Sequence, residues 1–205
     1  PRCPRRAWRD SVMETHRLGI KVLAADPGSI AITAFIPIFH GWIQQQALES
    51  HLLIDLHNYS HIHQGPGILL VAQEGNFSID SSYGQLGLLY YRKLPGHGAP
   101  QDHLASIVRS ALQACTLLEA EPALKGQLRF RTDELHIIAN DRLLAPNDDA
   151  TLAELKPVVS AVFEQLLKRA DFSMSRISND PRERFAVRIQ TSQATDVKTL
   201  LARLS

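Results

Sequence analysis

Residues 52–80 read LLIDLHNYSHIHQGPGILLVAQEGNFSID, and the reading of this stretch decides the fold. Leu52, Ile54 and Leu56 fall on alternate positions, the spacing of a half-buried β-strand. The other face then carries His51, Asp55, His57, Tyr59 and, if the strand continues, His61 and His63. The run from Ile68 to Val71 is apolar on both faces and suits a more central strand, turning polar at Gln73, Glu74 and Asn76. Between the two runs, Gln64-Gly65-Pro66-Gly67 supplies the glycines and proline of a turn, so a hairpin is expected.

The same region stands out by what it lacks. No Lys or Arg occurs between Lys21 and Arg92, although Asp26, Glu49, Asp55, Glu74 and Asp80 lie there with five histidines. Long basic side chains normally coat a solvated surface, so this interval is expected to be partly core and partly a surface that meets another chain.

The 205-residue chain suffices for one well-buried domain, and its ordinary hydrophobic and charged content excludes global disorder. Net charge is +1 but uneven: +4 over residues 1–21, −5 over 22–170 and +2 over 171–205. That balance argues against nucleic acid, whose binders present a denser basic face. Cys3 and Cys115 alone make neither a disulfide framework nor a zinc knuckle. No apolar run is long enough to span a bilayer, and no secretory signal opens the chain, so the expected compartment is the cytoplasm. Residues 1–12 read as a basic, proline-broken tail, and residues 13–205 as a single α+β domain with an internal division near 95–101, PGHGAPQ.

Outward from the central stretch, Leu18 to Ala25 reads as a strand and Ala34 to Leu48 as a helix with Pro37 in its first turn. Leu86 to Leu94 is a further strand. Asp102 is the expected N-cap of a helix over 103–119, whose apolar face includes Cys115. Residues 128–143 alternate on both sides of Thr132-Asp133-Glu134 and predict a hairpin. An amphipathic helix follows Asn147-Asp148-Asp149, with Pro157 expected either in its first turn or at a kink. Phe172–Ile177 and Arg184–Ile189 make the last strand pair, and 196–204 a short closing helix. Helices alternating with hairpins define an α+β fold: a mostly antiparallel sheet built from helix-plus-hairpin units, with the helices packed on one face.

Chemistry is thinly marked. His61 and His63, one residue apart on a continuing strand, would point the same way and share a divalent metal with Asp55. No Gly-x-Ser-x-Gly elbow accompanies the serines near Asp80, and no Gly-rich phosphate loop joins a strand to a helix. Arg129, Arg131, Arg176, Arg182, Arg184 and Arg188 form a possible basic strip, interleaved with acids. The composition of a contact surface is the broadest signal, with His57, Tyr59, His61, His63 and Tyr90 as its partner-binding residues. The expectation is a cytoplasmic, non-enzymatic binding or assembly protein without a cofactor, working as a homo-oligomer or as a subunit with a partner protein. A metal-dependent enzyme built on the His-rich strand is the alternative.

Overall fold

The computed structural model describes residues 17–26, 30–63, 65–94, 98–124, 126–168 and 171–204. The tail expected over 1–12 lies outside them. Eight strands form one antiparallel sheet in the order β2-β3-β4-β5-β1-β6-β8-β7. The strands are β1 (Leu18–Ala24), β2 (Leu53–Tyr59), β3 (Gly67–Ala72), β4 (Gly75–Asp80), β5 (Gly87–Arg92), β6 (Phe130–Ala139), β7 (Phe172–Arg176) and β8 (Ala186–Thr191). Four helices, α1 (Phe35–Gln45), α2 (Pro100–Ala120), α3 (Asp149–Leu167) and α4 (Val197–Ala202), complete the α+β fold. Strand β1 pairs with β5 on one side and β6 on the other, so the segments flanking residues 95–101 share one sheet.

Alternation along the central strands separates two faces. Ile20, Val22, Ile68, Leu70, Phe77, Ile79, Leu88, Tyr90, Ile137 and Val187 share the main core with the helices. Helix α1 packs on β2 and β3, whereas α2 packs on β1 and β5 and touches α3 and α4. Leu104, Ile107, Val108, Ala111, Leu112 and Cys115 give α2 its buried stripe, and burial raises the Cys115 thiol pKa. Asp148 is the N-cap of helix α3, and its carboxylate accepts from the Thr151 N–H at 2.8 Å. Its Pro157 lies well inside the helix, past the first turn.

Four sequence expectations change. Residues 130–139 form one strand instead of a hairpin, because β6 is paired along its length with β1 and β8. The polar turn at Gln73-Glu74 starts an additional strand, β4, so the central stretch holds three strands. Helix α2 begins at Pro100 with Ala99 as N-cap, leaving Asp102 in the first turn.

The fourth change is the phase of β2. Its register shifts between Leu53 and Asp55, so Leu53 is buried while Leu52 and Ile54 stand exposed. Leu56 faces Leu70 on the core side, and Asp55 and His57 face Val71 and Leu69 on the other. His51 does not join them: it is buried, its Nε2 2.8 Å from the Tyr90 hydroxyl and its ring edge-on to Phe77.

The basic-free interval now has a physical account. It contains β3, β4 and β5 up to Tyr91, whose core-facing side chains are buried, and β2, which is one of the sheet's two edges. The turn residue Gly67 sits at φ +62, and a Cβ there would collide with the Ile79 carbonyl oxygen.

Candidate functional site

The face of the sheet turned away from the helices carries a polar centre. Across it, Ser78 pairs with Leu89, Leu89 with Lys21, Lys21 with His136, and His136 with Arg188. Lys21 interrupts the otherwise apolar LGIKVLA of β1 and is completely buried. A buried ammonium needs a partner. Its Nζ lies 2.6 Å from Asp80 Oδ1 and donates also to the Ser82 carbonyl at 2.8 Å and the Ser82 hydroxyl at 3.0 Å. Burial pulls the Lys21 pKa down against the opposing attraction of Asp80. Asp80 Oδ1 accepts from the Ser82 backbone N–H at 2.9 Å and its hydroxyl at 2.7 Å. The pair therefore pins the 82–84 turn over the sheet. Tyr83 is held there at φ 59, a left-handed conformation that costs a bulky residue about 1–2 kcal/mol.

Beside this pair, His136 Nε2 contacts Glu134 Oε1 at 2.8 Å, while Arg188 and Gln190 approach the same carboxylate at 3.1 Å each. His136 is buried, its ring edge-on to Tyr83. Burial lowers the pKa of His136, against the Glu134 hydrogen bond, and burial also lowers that of His51. Both histidines therefore bind protons less readily in the fold than when unfolded. Their contribution to stability is complete above pH ~6.5 and is lost as pH falls below it, by at most about 1.4 kcal/mol per histidine per pH unit. The urea midpoint is expected to drop between pH 7.5 and pH 5.5, and to drop less in a His51→Asn/His136→Gln variant. Equal slopes in the two proteins would contradict the assignment.

A cleft opens above the Lys21–Asp80 pair. Its inner cavity, about 280 Å³, is lined by Leu69 and Leu89 and by the polar side chains of Asn76, Ser78, Ser82, Tyr91, Asn140 and Arg184. Asn76 Oδ1 is buried without a hydrogen-bond partner among the described residues. Next to it, a cavity of about 590 Å³ shares Ser82 and Arg184 and adds His63, Tyr83, Arg142, Arg182 and Glu183. A third space of about 1030 Å³ shares Asn140, Arg142 and Arg182 and adds Arg17, Lys93 and Asp141.

The acids sort the arginines of the expected basic strip. Arg131 pairs with Asp133, Arg176 with Asp149, Arg182 with Asp180 and Arg188 with Glu134. Arg129 donates to the Leu128 carbonyl at 2.9 Å. Arg184 differs: it forms no ion pair with a described residue, and its Nη1 lies 3.3 Å from the Tyr91 hydroxyl. Its guanidinium stands half-buried where the inner and middle cavities meet.

The residues singled out in the sequence are only partly gathered here. His63 lies on the wall of the middle cavity, and His61 and His63 line a neighbouring space of about 420 Å³. Both belong to the turn after β2, which ends at Tyr59, so the strand geometry behind the His61/His63 metal pair is absent. His57 and Asp55 are exposed and 3.5 Å apart. Among the described residues, no three His, Cys, Asp or Glu side chains are grouped to hold a metal ion. Tyr90, expected at a contact surface, is instead fully buried in the core, where burial pushes its hydroxyl pKa up to about 12.

Sequence reading gives Lys21 no role, treats Asp80 and Ser82 only as a serine cluster without a nucleophile elbow, and counts Arg184 only within the basic strip. One signal was present: a single charged residue inside a strand apolar on both sides requires a buried counter-charge. The partner itself is 59 residues away and comes from the pairing of β4, β5 and β1.

No family model, curated protein or solved structure matches the chain.

Proposed function

We propose that this protein works by binding, and that the cleft over the Lys21–Asp80 pair holds a small anionic molecule. Arg184 carries the reading: a half-buried guanidinium without a carboxylate partner among the described residues, at the junction of two polar cavities. Arginine in such a place suits two-point recognition of a carboxylate or phosphate. The floor supports binding over catalysis. Lys21 spends its donors on Asp80 and Ser82, and Asp80 is held by Lys21 while it accepts the Ser82 hydroxyl, so neither Lys21 nor Asp80 is left as a free base beside Ser82. Among the described residues no helix is long and apolar enough to cross a membrane. We place the protein's work in the cytoplasm.

The reading predicts that phosphate or a short dicarboxylate stabilises the protein against heat. At a free concentration a hundredfold above its dissociation constant, a bound anion adds about 2.7 kcal/mol. In Arg184→Gln the gain should vanish while the melting temperature without anion changes little. An equal gain in the variant removes the cleft as the site.

A second reading, assembly with a partner protein or a second copy, has its own observation. Of the five exposed large apolar side chains among the described residues, Ile54 lies on β2, with Leu52 just before it and Ile62 in the turn after it. Contact there would run through side chains, because parts of the β2 backbone are already engaged. The Gln46 amide bonds the Leu53 N–H and C=O at 2.9 and 3.0 Å, and Asp55 takes the Leu56 N–H at 2.7 Å.

A further inference from the structure

Granting that the cleft binds an anion, its charge and lining narrow the ligand class. The middle cavity is walled by Arg142, Arg182 and Arg184 against Glu183 alone. Arg182 is taken up by Asp180 at 2.7 Å, whereas Arg142 and Arg184 pair with no described acid. Glu183 offsets one of these two positive charges, so the choice of anion turns on acceptors: a phosphate monoester presents three oxygens that two guanidiniums can share, against a carboxylate's two. Farther out, Arg17 and Lys93 face only Asp141, whose Oδ1 already accepts the Leu143 and Leu144 N–H groups.

The inner cavity has a different character. Lys21 neutralises its one carboxylate, Asp80, and the remaining polar lining consists of hydroxyls and amides, with Arg184 at the mouth. Asn76 Oδ1, buried and without a partner, calls for a hydrogen-bond donor from whatever enters. Leu69 and Leu89 offer an apolar surface for C–H groups. Together these features suit a compact, uncharged body rich in hydroxyls.

We infer that the ligand is a phosphorylated sugar or polyol. Its phosphate lies between Arg142 and Arg184, and its hydroxyl-bearing carbons enter the inner cavity toward Asn76 and Ser78. The inference rests on the anion-binding reading above and adds both the phosphate and the hydroxylated body to it.

Isothermal titration of the full chain tests it with ribose 5-phosphate, glucose 6-phosphate and glycerol 3-phosphate, against ribose, inorganic phosphate and succinate. At least one sugar or polyol phosphate is expected to bind tenfold or more tightly than both its sugar and inorganic phosphate. Arg142→Gln and Asn76→Leu should each weaken that binding about tenfold. Arg142 is exposed, so its variant is expected to keep the parent's melting temperature. Succinate binding that depends on Arg184, with no preference for any phosphate ester, overturns this inference and leaves the anion reading standing. No binding by any of the six compounds overturns both. Phosphate-ester binding unchanged in Arg142→Gln and Asn76→Leu overturns the placement on which the inference depends.

Discussion

Replacing Lys21 with alanine is expected to cost about 3–5 kcal/mol of stability, because it leaves the Asp80 carboxylate buried without its counter-charge. Both side chains are nearly inaccessible, 0% and 3% exposed, so water cannot take over the lost contact without opening the sheet face. Lys21→Met combined with Asp80→Leu should recover most of the loss, since removing both charges also removes their desolvation cost. Recovery of stability would not restore the cleft. The double variant lacks the bonds that hold Ser82, so anion binding should remain weakened while the urea midpoint returns toward the parent value. If Lys21→Ala costs less than about 1 kcal/mol, roughly the size of a surface pair, the buried pair does not hold this face of the sheet together.

Gly67→Ala is expected to cost on the order of 4 kcal/mol. Two terms add: a left-handed conformation at φ +62, about 1–3 kcal/mol, and a methyl group driven against the Ile79 carbonyl. The position lies where β3 leaves the turn and pairs with β4, so relief by moving the backbone would disturb the register that places Asp80 beneath the cleft. Gly84, at φ +75, has no atom within 4 Å of a would-be Cβ. Gly84→Ala therefore isolates the conformational term and should cost about 1–3 kcal/mol. Equal effects of the two substitutions, read from urea unfolding, would show that crowding at Gly67 is not what fixes this turn.

Much of the fold was legible because strong local patterns agreed with the tertiary result. The 35–45 and 149–167 helices follow their apolar stripes, and Asp148 caps the latter as an aspartate before a helix should. The β2 phase was misread for a definable reason. A register shift at Leu53–Asp55 exchanges which leucines face inward, and a bulge leaves no mark on an alternating pattern. The second half of LRFRTDELHIIANDRL resembled a returning strand because Thr132-Asp133-Glu134 looks like a turn. In place, Thr132 is buried against Thr195, Glu134 is buried opposite Gln190 of β8, and Asp133 is satisfied by Arg131 at 2.8 Å.

The candidate site was far less legible. Its lining comes from β3, β4, β5, the 82–84 turn, the end of β6 and the segment before β8, and no two of these elements announce a shared motif. The histidines drew attention because five of them crowd residues 40–63, but their placement differs one by one. His51 is inside the core, His57 is exposed on the edge strand, and only His63 reaches the wall of the middle cavity. Arg184 looked like one arginine among six. Its distinction is that acids answer four of the others, two of them from neighbouring residues and two, Asp149 and Glu134, from distant segments that only the assembled structure brings near.

The central claim is that the cleft is where this protein meets its ligand, and amide chemical-shift mapping tests it most directly. The full chain, labelled with nitrogen-15, is titrated with glucose 6-phosphate, glycerol 3-phosphate and succinate at constant ionic strength. Saturable shifts are expected at Asn76, Ser78, Ser82, Tyr83, Asn140, Arg142 and Arg184, absent in Arg184→Gln. Saturable shifts confined to another surface, or none with any of the three anions, would contradict it.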